Sequence, residues 1–226
     1  ETAAILINTP NNPTGAVYPE SLLEDIAAFV RRHDLLVCSD EVYERLCFNP
    51  EISRSIRAFP GMAERTVVIH SFSKSFAMTG WRVGYAFGPE WLITPMIKVV
   101  SYYTSCAPSV SQRAALAALR HQDLFTEMYH EFEQRRDLIC RRLSAMEHIR
   151  VSKADGAFYV FPDISHYTRD SREFALDLLD KQQLVVVPGE AFGSLYSHCI
   201  RIAFTVNQAQ LNEGMDRFER YLASRH

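Results

Sequence analysis

Apolar residues in the first half of the chain follow two different spacings. Four short runs rich in β-branched residues predict strands: Ile5 to Asn8, Leu35 to Ser39, Thr66 to Ser71 and Arg82 to Phe87. Between the first two runs, apolar residues recur at helical spacing after Pro19, which predicts a helix that crosses from one strand to the next. Strands that alternate with helices are typical of a mostly parallel sheet covered by helices.

The second half of the chain begins with a helical pattern and ends with a mixed one. From about Pro89 to Met146 the apolar spacing is helical, with predicted breaks at Pro95 and Pro108. The remainder predicts strands at Ala157 to Ile164, Leu184 to Val187 and Cys199 to Phe204, and helices at Ser171 to Gln183 and Asn207 to Ala223. These patterns predict an α/β fold in two parts. A partial large domain occupies residues 1–105, and an interdomain helix with a small α+β domain occupies residues 106–226.

The composition favours a globular protein that binds small molecules. Of 226 residues, 47% are hydrophobic, which is enough to form a buried core. The formal net charge is −3 and no block of like charges occurs, so neither a nucleic-acid surface nor a membrane surface is predicted. No segment approaches the roughly 20 apolar residues that a membrane-spanning helix needs.

The cysteines give information about the cellular compartment. They are odd in number, spread along the chain and form no C-x-x-C pair: Cys38, Cys47, Cys106, Cys140 and Cys199. Neither a disulfide framework nor a metal site is therefore predicted, and a reducing cytoplasm fits best. The chain starts at Glu1, inside an apolar run and without a Met or a leader, and we interpret it as lacking an upstream part.

The strongest local signal follows the third predicted strand, where residues 71–84 read SFSKSFAMTGWRVG. An arbitrary lysine at a strand end would be solvated, but this segment resembles the cofactor-lysine signature of class I and II aminotransferases. The resemblance implies that Lys74 binds pyridoxal 5'-phosphate (PLP) covalently, and that Ser71 and Arg82 bind its phosphate. A hydroxyl donor and a planar guanidinium both match phosphate oxygens.

A second motif, Asn-Pro-Thr-Gly at residues 12–15, follows the first predicted strand. Taken alone it predicts a polar turn, because Asn, Pro and Gly are common turn residues. It also resembles the cofactor loop of the same family. The resemblance implies that the Asn12 amide contacts the hydroxyl of the PLP ring and the substrate carboxylate, and that the Asn12–Pro13 peptide bond is cis.

A third motif, Ser-Asp-Glu-Val-Tyr at residues 39–43, ends the second predicted strand. An acidic pair at this position is often a helix cap or a solvated loop. In PLP enzymes, however, a carboxylate must face the ring nitrogen, because the protonated ring accepts electrons. The resemblance assigns this carboxylate to Asp40 and a hydrogen bond to the ring hydroxyl to Tyr43. Glu41 is expected to point to the other side and to be structural.

A fourth motif places an arginine, Arg201, inside the apolar run at residues 199–204. A buried guanidinium is costly without a partner, so Arg201 requires either an internal carboxylate or a ligand carboxylate. The residue pattern leaves both open. The resemblance implies that Arg201 binds the α-carboxylate of the substrate. The aromatic residues at 158–161 resemble the strand that opens the small domain, and we expect them to belong to the core.

The motifs occur in the order that the family has, and the resemblance covers essentially the whole chain. It implies a fold type I PLP-dependent aminotransferase that moves an amino group between an L-amino acid and a 2-oxo acid, of the aspartate, alanine or aromatic type. Lys74 and Asp40 would be its catalytic residues, and the enzyme would be a cytoplasmic homodimer of amino-acid biosynthesis. In the family an upstream half supplies a phosphate loop and an aromatic residue that stacks on the ring. We therefore expect the 226-residue chain alone to bind PLP weakly.

Two other functions remain open. A PLP-dependent carbon–sulfur lyase would share Lys74 and Asp40, but would release ammonia from a thioether amino acid without an oxo-acid acceptor. The sensor domain of a transcription regulator can also resemble an aminotransferase, and it would need a basic helix-turn-helix upstream. The Thr-Gly-Trp-Arg continuation at residues 79–82 resembles aminotransferases more closely than lyases.

Overall fold

The computed structural model describes residues 1–49 and 54–225. Internal contacts divide the chain into two compact units, of which the first contains Glu1–Asn11 and Val17–Met128. The second contains Asn12–Ala16 and Tyr129–His226. The loop at residues 12–16 thus belongs with the carboxyl-terminal unit. The domain boundary near residue 105 stays a prediction for the complete protein.

The first unit is built on a sheet with the strand order β1-β2-β3-β4. The strands are β1 (Ala4–Asn8), β2 (Leu36–Asp40), β3 (Thr66–Ser71) and β4 (Gly84–Phe87). The first three are parallel and β4 is antiparallel to β3, so the predicted mostly parallel sheet is confirmed. The fourth strand begins two residues later than predicted, because Arg82 has a left-handed backbone that cannot enter a strand.

The crossover helix α1 (Glu20–Arg32) covers one face of this sheet. Its residues Leu23, Ala27 and Val30 recur at helical spacing and are fully buried in a core that includes Ile7 and Val37 of the first two strands. Pro19 is the N-cap of the helix, where its missing N–H costs no hydrogen bond. The predicted crossover helix is confirmed.

Within the described residues 54–145, four further α-helices follow α1. They are α2 (Phe72–Ser75), α3 (Glu90–Tyr103), α4 (Ser109–Arg120) and α5 (Leu124–Ala145), and short 3-10 helices lie at Glu44–Leu46, Ile56–Ala58 and Thr79–Trp81.

The break predicted at Pro108 is confirmed, since this residue caps α4. The break predicted at Pro95 is wrong. This proline lies inside α3, because its fixed φ suits a helix and only one backbone hydrogen bond is lost on an exposed surface.

The second unit contains a small antiparallel sheet with the strand order β5-β7-β6. Its strands are β5 (Tyr159–Val160), β6 (Val187–Pro188) and β7 (Ile200–Ala203), and its helices are α6 (Ser171–Gln182) and α7 (Gln208–Ala223), with 3-10 helices at Gly189–Phe192 and Ser194–Tyr196. The helices were predicted within one residue. The strands are shorter than predicted. Both β5 and β6 pair with β7, and only two residues of each are in register with β7 and form a ladder.

Within residues 1–49 and 54–225, no helix is both long and apolar enough to cross a membrane. In the same ranges, no group of three or more His, Cys, Asp or Glu side chains could hold a metal ion.

Candidate active site

The carboxyl edge of the first sheet carries three of the predicted site residues. Asp40 is the last residue of β2 and Ser71 is the last residue of β3, and Asp40 is in register with Ile69 on that strand. Because parallel strands end at the same edge of a sheet, both side chains lie where α/β folds bind ligands. Helix α2 begins directly after Ser71 and carries Lys74 to the same edge.

Lys74 is held by a single helical turn. The Ser71 hydroxyl caps this turn by accepting a hydrogen bond from the backbone N–H of Ser73 at 3.1 Å, and a hydroxyl that accepts one bond can still donate another. Phe72 is buried beside Met78 and anchors the turn in a small core. The packed turn therefore fixes the direction in which Lys74 leaves the backbone.

Burial distinguishes Lys74 from the other lysines. The sequence has only four lysines, and Lys98, Lys153 and Lys181 are exposed whereas Lys74 is half-buried. Its Nζ lies 6.0 Å from the ring centroid of Tyr43, which is buried. The structure thus brings two of the predicted cofactor residues together.

Asp40 is half-buried, and its surroundings shift the pKa of its carboxyl. Burial raises the pKa of the Asp40 carboxyl above its usual value, while a hydrogen bond from the backbone of Val42 and the charge of His70 lower it in part. The Val42 N–H lies 3.3 Å from Asp40 Oδ1. A buried carboxyl of this kind is stabilised in its charged form when a cation or a charged N–H group is placed beside it.

Arg82 lies just before strand β4, near the residue that pairs with Ser71. Ser71 pairs with Gly84 across β3 and β4, and Arg82 is two residues before that pair. Its backbone is left-handed at φ 50°, and its Nη1 donates a hydrogen bond to the carbonyl of Thr79 at 2.9 Å. A non-glycine residue in this conformation stores strain of about 1–3 kcal/mol, and such strain is common at ligand sites.

The two residues predicted to bind substrate are in direct contact within the second unit. Arg201 on β7 donates a hydrogen bond from Nη1 to Asn12 Oδ1 at 2.8 Å, although 189 positions separate them. The Asn12–Pro13 peptide bond is cis, as predicted. The loop and the strand were identified by separate motifs, and the contact joins them.

Arg201 has aromatic neighbours in place of an acidic one. Its guanidinium carbon lies 4.4 Å from the ring centroid of Tyr159 and 5.0 Å from that of Phe192. Within the described part of the chain Arg201 forms no ion pair with an Asp or a Glu, and its Nε is buried without a hydrogen-bond partner. Of the two partners that the sequence left open, an internal carboxylate is therefore not found among these residues.

Sequence reasoning missed both aromatic neighbours. Tyr159 was expected to belong to the core, and it is buried there. It also pairs with Ala203 on β7, two residues from Arg201, so its side chain shares a sheet face with Arg201. Alternation along that strand could have indicated this contact. Phe192 lies in a 3-10 helix and follows no periodic pattern, so no sequence signal could have found it.

Gly15 determines how the Asn12 loop packs. Its backbone is left-handed at φ 71°, and a Cβ there would lie 2.6 Å from the Ala154 Cβ and 2.7 Å from the Tyr159 carbonyl oxygen. The Gly15 carbonyl also accepts a hydrogen bond from the Gly156 N–H at 2.9 Å. The close approach of the two segments thus depends on the absence of a side chain at Gly15.

Replacing Gly15 by alanine is expected to move the loop and to separate Asn12 from Arg201. The left-handed backbone alone costs about 1–2 kcal/mol, and the clash with backbone atoms adds to it. Thermal unfolding of the full-length protein measures the effect. Gly80→Ala is the matched control, since a Cβ at Gly80 meets nothing within 4 Å. Equal melting temperatures for the two variants would contradict the packing described here.

The sequence as a whole matches the profile of the family "Aminotransferase class I and II" over residues 1–218. Aromatic-amino-acid aminotransferase 2 of Thermococcus litoralis is 42% identical over 225 residues, which are 98% of this chain and 58% of that protein. An aspartate aminotransferase of Pyrococcus abyssi is 41% identical over 98% of this chain and 58% of its own length. The matched part is the carboxyl-terminal part of these relatives, and the chain spans about 58% of their length.

Solved structures agree with these sequence relatives. An aromatic aminotransferase from Pyrococcus horikoshii matches with a TM-score of 0.94 and 42% identity, over 99% of this chain and 61% of that one. An aspartate aminotransferase from Thermotoga maritima matches with a TM-score of 0.91 and 36% identity, over 98% of this chain and 57% of that one. The fold is that of fold type I aminotransferases, so the predicted fold class is confirmed. As its motifs predicted, the chain belongs to the aminotransferase class I and II family.

Proposed function

We propose that the protein is a PLP-dependent aminotransferase that moves an amino group between an L-amino acid and a 2-oxo acid. The proposal is carried by the surroundings of Arg201. Its guanidinium is half-buried, hydrogen-bonds to Asn12 and has no acidic partner among the described residues. Two parallel N–H donors on such a group match a carboxylate, which all amino acids and 2-oxo acids share.

The donor set at the edge of the first sheet fits PLP. It combines a half-buried lysine amine, a hydroxyl and a carboxylate whose pKa is raised by burial. PLP has an aldehyde that an amine can bind, a phosphate that a hydroxyl and a guanidinium can bind, and a ring nitrogen that suits a buried carboxylate. Lys74 would bind the aldehyde, and Ser71 and Arg82 would bind the phosphate. Asp40 would face the ring nitrogen. The ring hydroxyl would be bound by Tyr43 and Asn12.

When bound, PLP supplies a ring that accepts electrons from the α-carbon of the amino acid. Arg201 binds the α-carboxylate and so fixes which bond at the α-carbon faces the reacting groups. Lys74 Nζ removes the proton from the α-carbon and acts as a general base. Asp40, in its charged form, favours the protonated ring nitrogen by about 1–3 pKa units.

The proposal extends to the substrate side chain, the assembly and the compartment. The relatives described above are named for aromatic amino acids and for aspartate, which supports substrates of these types. A homodimer and a role in amino-acid biosynthesis are proposed by analogy with the family. A cytoplasmic location is proposed from the cysteine pattern.

A half-reaction screen tests the proposed function. Full-length protein is loaded with PLP and mixed with single amino acids, and the visible absorbance of the cofactor is followed together with the release of 2-oxo acid. An aminotransferase converts one class of amino acid stoichiometrically and recovers its spectrum with a 2-oxo acid. Ammonia release from a thioether amino acid without an acceptor would indicate a carbon–sulfur lyase. No turnover of any amino acid would favour a sensor domain, although aminotransferase names among the relatives favour neither alternative.

Arg201→Lys is expected to weaken amino-acid binding and to leave PLP binding nearly unchanged. Lysine keeps the charge but lacks the planar pair of donors, so kcat/KM is expected to fall on the order of 10- to 100-fold. Steady-state kinetics and a PLP titration measure the two effects. Arg217→Lys, at a partly exposed ion pair with Glu213, is the control. Equal losses in substrate and cofactor binding would identify Arg201 as a structural charge.

A further inference from the structure

A group of ionisable side chains lies on the sheet face opposite to the proposed catalytic residues. His70 on β3 has its Nε2 3.8 Å from Glu41 Oε2 and its Nδ1 3.5 Å from Glu44 Oε1. Its side chain is only 11% exposed and its ring stacks on Tyr85, with centroids 5.2 Å apart. Neither His70 nor the two glutamates has a role in the proposed reaction.

Glu41 is the fixed member of this group. It is 7% exposed, and its Oε1 accepts hydrogen bonds from the hydroxyls of Ser39 at 2.8 Å and Ser55 at 2.7 Å. The backbone N–H of Glu41 donates to the carbonyl of Ile69 at 3.0 Å, which extends the β2–β3 pairing by one residue. His70 therefore approaches a carboxylate that cannot easily move away.

The sequence neighbours of these residues are the proposed cofactor residues. Successive side chains of a strand point to opposite faces. Asp40 therefore lies opposite to Glu41, and Ser71 lies opposite to His70. The His70–Glu41 contact therefore links the ends of β2 and β3 on one face of the sheet. Asp40 and Ser71 project from the opposite face at the same strand ends. The charge of His70 also acts on Asp40, whose pKa it lowers.

We infer that His70 is a positioning residue for the cofactor site. It connects the end of β3 to Glu41, directly after β2, and to Glu44 in the 3-10 helix that follows. In its protonated form it also supplies positive charge on the sheet face opposite to Asp40. This inference rests on the proposed function, because Asp40 and Ser71 are taken as PLP ligands. A histidine suits the task because a protonated imidazole carries a positive charge that its two ring nitrogens share, and each of them lies at ion-pair distance from one carboxylate.

Two substitutions in the full-length protein test the inference. His70→Leu removes both the contacts and the charge, whereas His70→Asn keeps an amide donor without charge. We expect PLP to bind about 10-fold more weakly to His70→Leu, the usual effect of removing a supporting residue, and to lose less affinity in His70→Asn. His130→Leu is the control, since His130 lies 3.7 Å from Glu133 but is 60% exposed.

A second measurement separates positioning from general stability. The titration of the Asp40 carboxyl is followed by carbon-13 NMR in the protein without PLP, over an acidic range in which histidines are generally protonated. Both His70 variants are expected to titrate Asp40 at higher pH than the wild type, because an attractive charge is lost. An unchanged Asp40 titration, or unchanged PLP affinity in His70→Leu, would overturn the inference. A wild-type protein that does not bind PLP would contradict the proposed function, and the Asp40 titration would still decide the role of His70.

Discussion

Replacing Lys74 by alanine is expected to abolish covalent attachment of PLP in the full-length protein. Lys74 is the half-buried lysine at the carboxyl edge of the first sheet, and Lys98, Lys153 and Lys181 are exposed elsewhere. The capped turn of α2 fixes the backbone position of Lys74 at this edge. Loss of the general base alone lowers turnover by roughly 10²–10⁴-fold, and loss of the covalent anchor adds to this.

Borohydride reduction followed by peptide mapping measures the attachment. Reduction makes the lysine–cofactor link permanent, and within residues 1–226 four lysines have to be distinguished. Lys98→Ala is the matched control and is expected to keep the label and the activity. A label on Lys98, Lys153 or Lys181 in the wild type would refute the assignment of Lys74.

Replacing Asp40 by asparagine is expected to change activity and stability in opposite directions. Asparagine has no charge to hold the ring nitrogen protonated, so kcat is expected to fall by about 10- to 1000-fold, which corresponds to 1–3 pKa units. Burial raises the pKa of Asp40 in the folded protein. Ionising Asp40 therefore destabilises the fold without cofactor, and asparagine is expected to raise the melting temperature at neutral pH.

The pH dependence of the stability gain follows from the same raised pKa. The folded state binds its proton more tightly than the unfolded state, so the penalty is absent below the unfolded pKa of Asp40. It develops as pH rises from the unfolded pKa through the folded pKa and is constant above the folded pKa. Thermal unfolding of the cofactor-free variant at several pH values measures it. Asp25→Asn, an exposed position on α1, is the control. A variant that is both inactive and less stable at neutral pH would make Asp40 a structural residue.

For the first unit, the sequence alone predicted the strand ends that carry the candidate site residues, and the roles of these residues stay a prediction. Asp40, Ser71 and Lys74 each follow directly from a strand end, and strands of a parallel sheet end at one edge. Periodicity of apolar residues gives these strand ends, and the spacing from Ser71 to Lys74 is too short to be altered by tertiary packing. The strand assigned to Arg82 was the local exception. Its left-handed backbone depends on the turn at Thr79–Trp81.

The second unit's strands could not be predicted as well. The strand predicted at residues 157–164 covers eight positions, of which all but Asp163 are apolar, but only Tyr159–Val160 form a strand. Their partner is β7, more than 40 positions away in the sequence. A ladder exists only where both partners are in register, and a one-dimensional pattern contains no information on that register.

The sequence by itself determined the family, the order of the elements and the candidate residues with local chemistry. Only the tertiary structure decided which distant side chains meet. Arg201 and Asn12 are 189 positions apart and form a 2.8 Å hydrogen bond, and His70 meets Glu41 and Glu44 from a different strand. Local propensity and periodicity depend on neighbours within one or two turns. Contacts between distant residues depend on closing the chain between them and on packing a shared core, which only the complete fold determines.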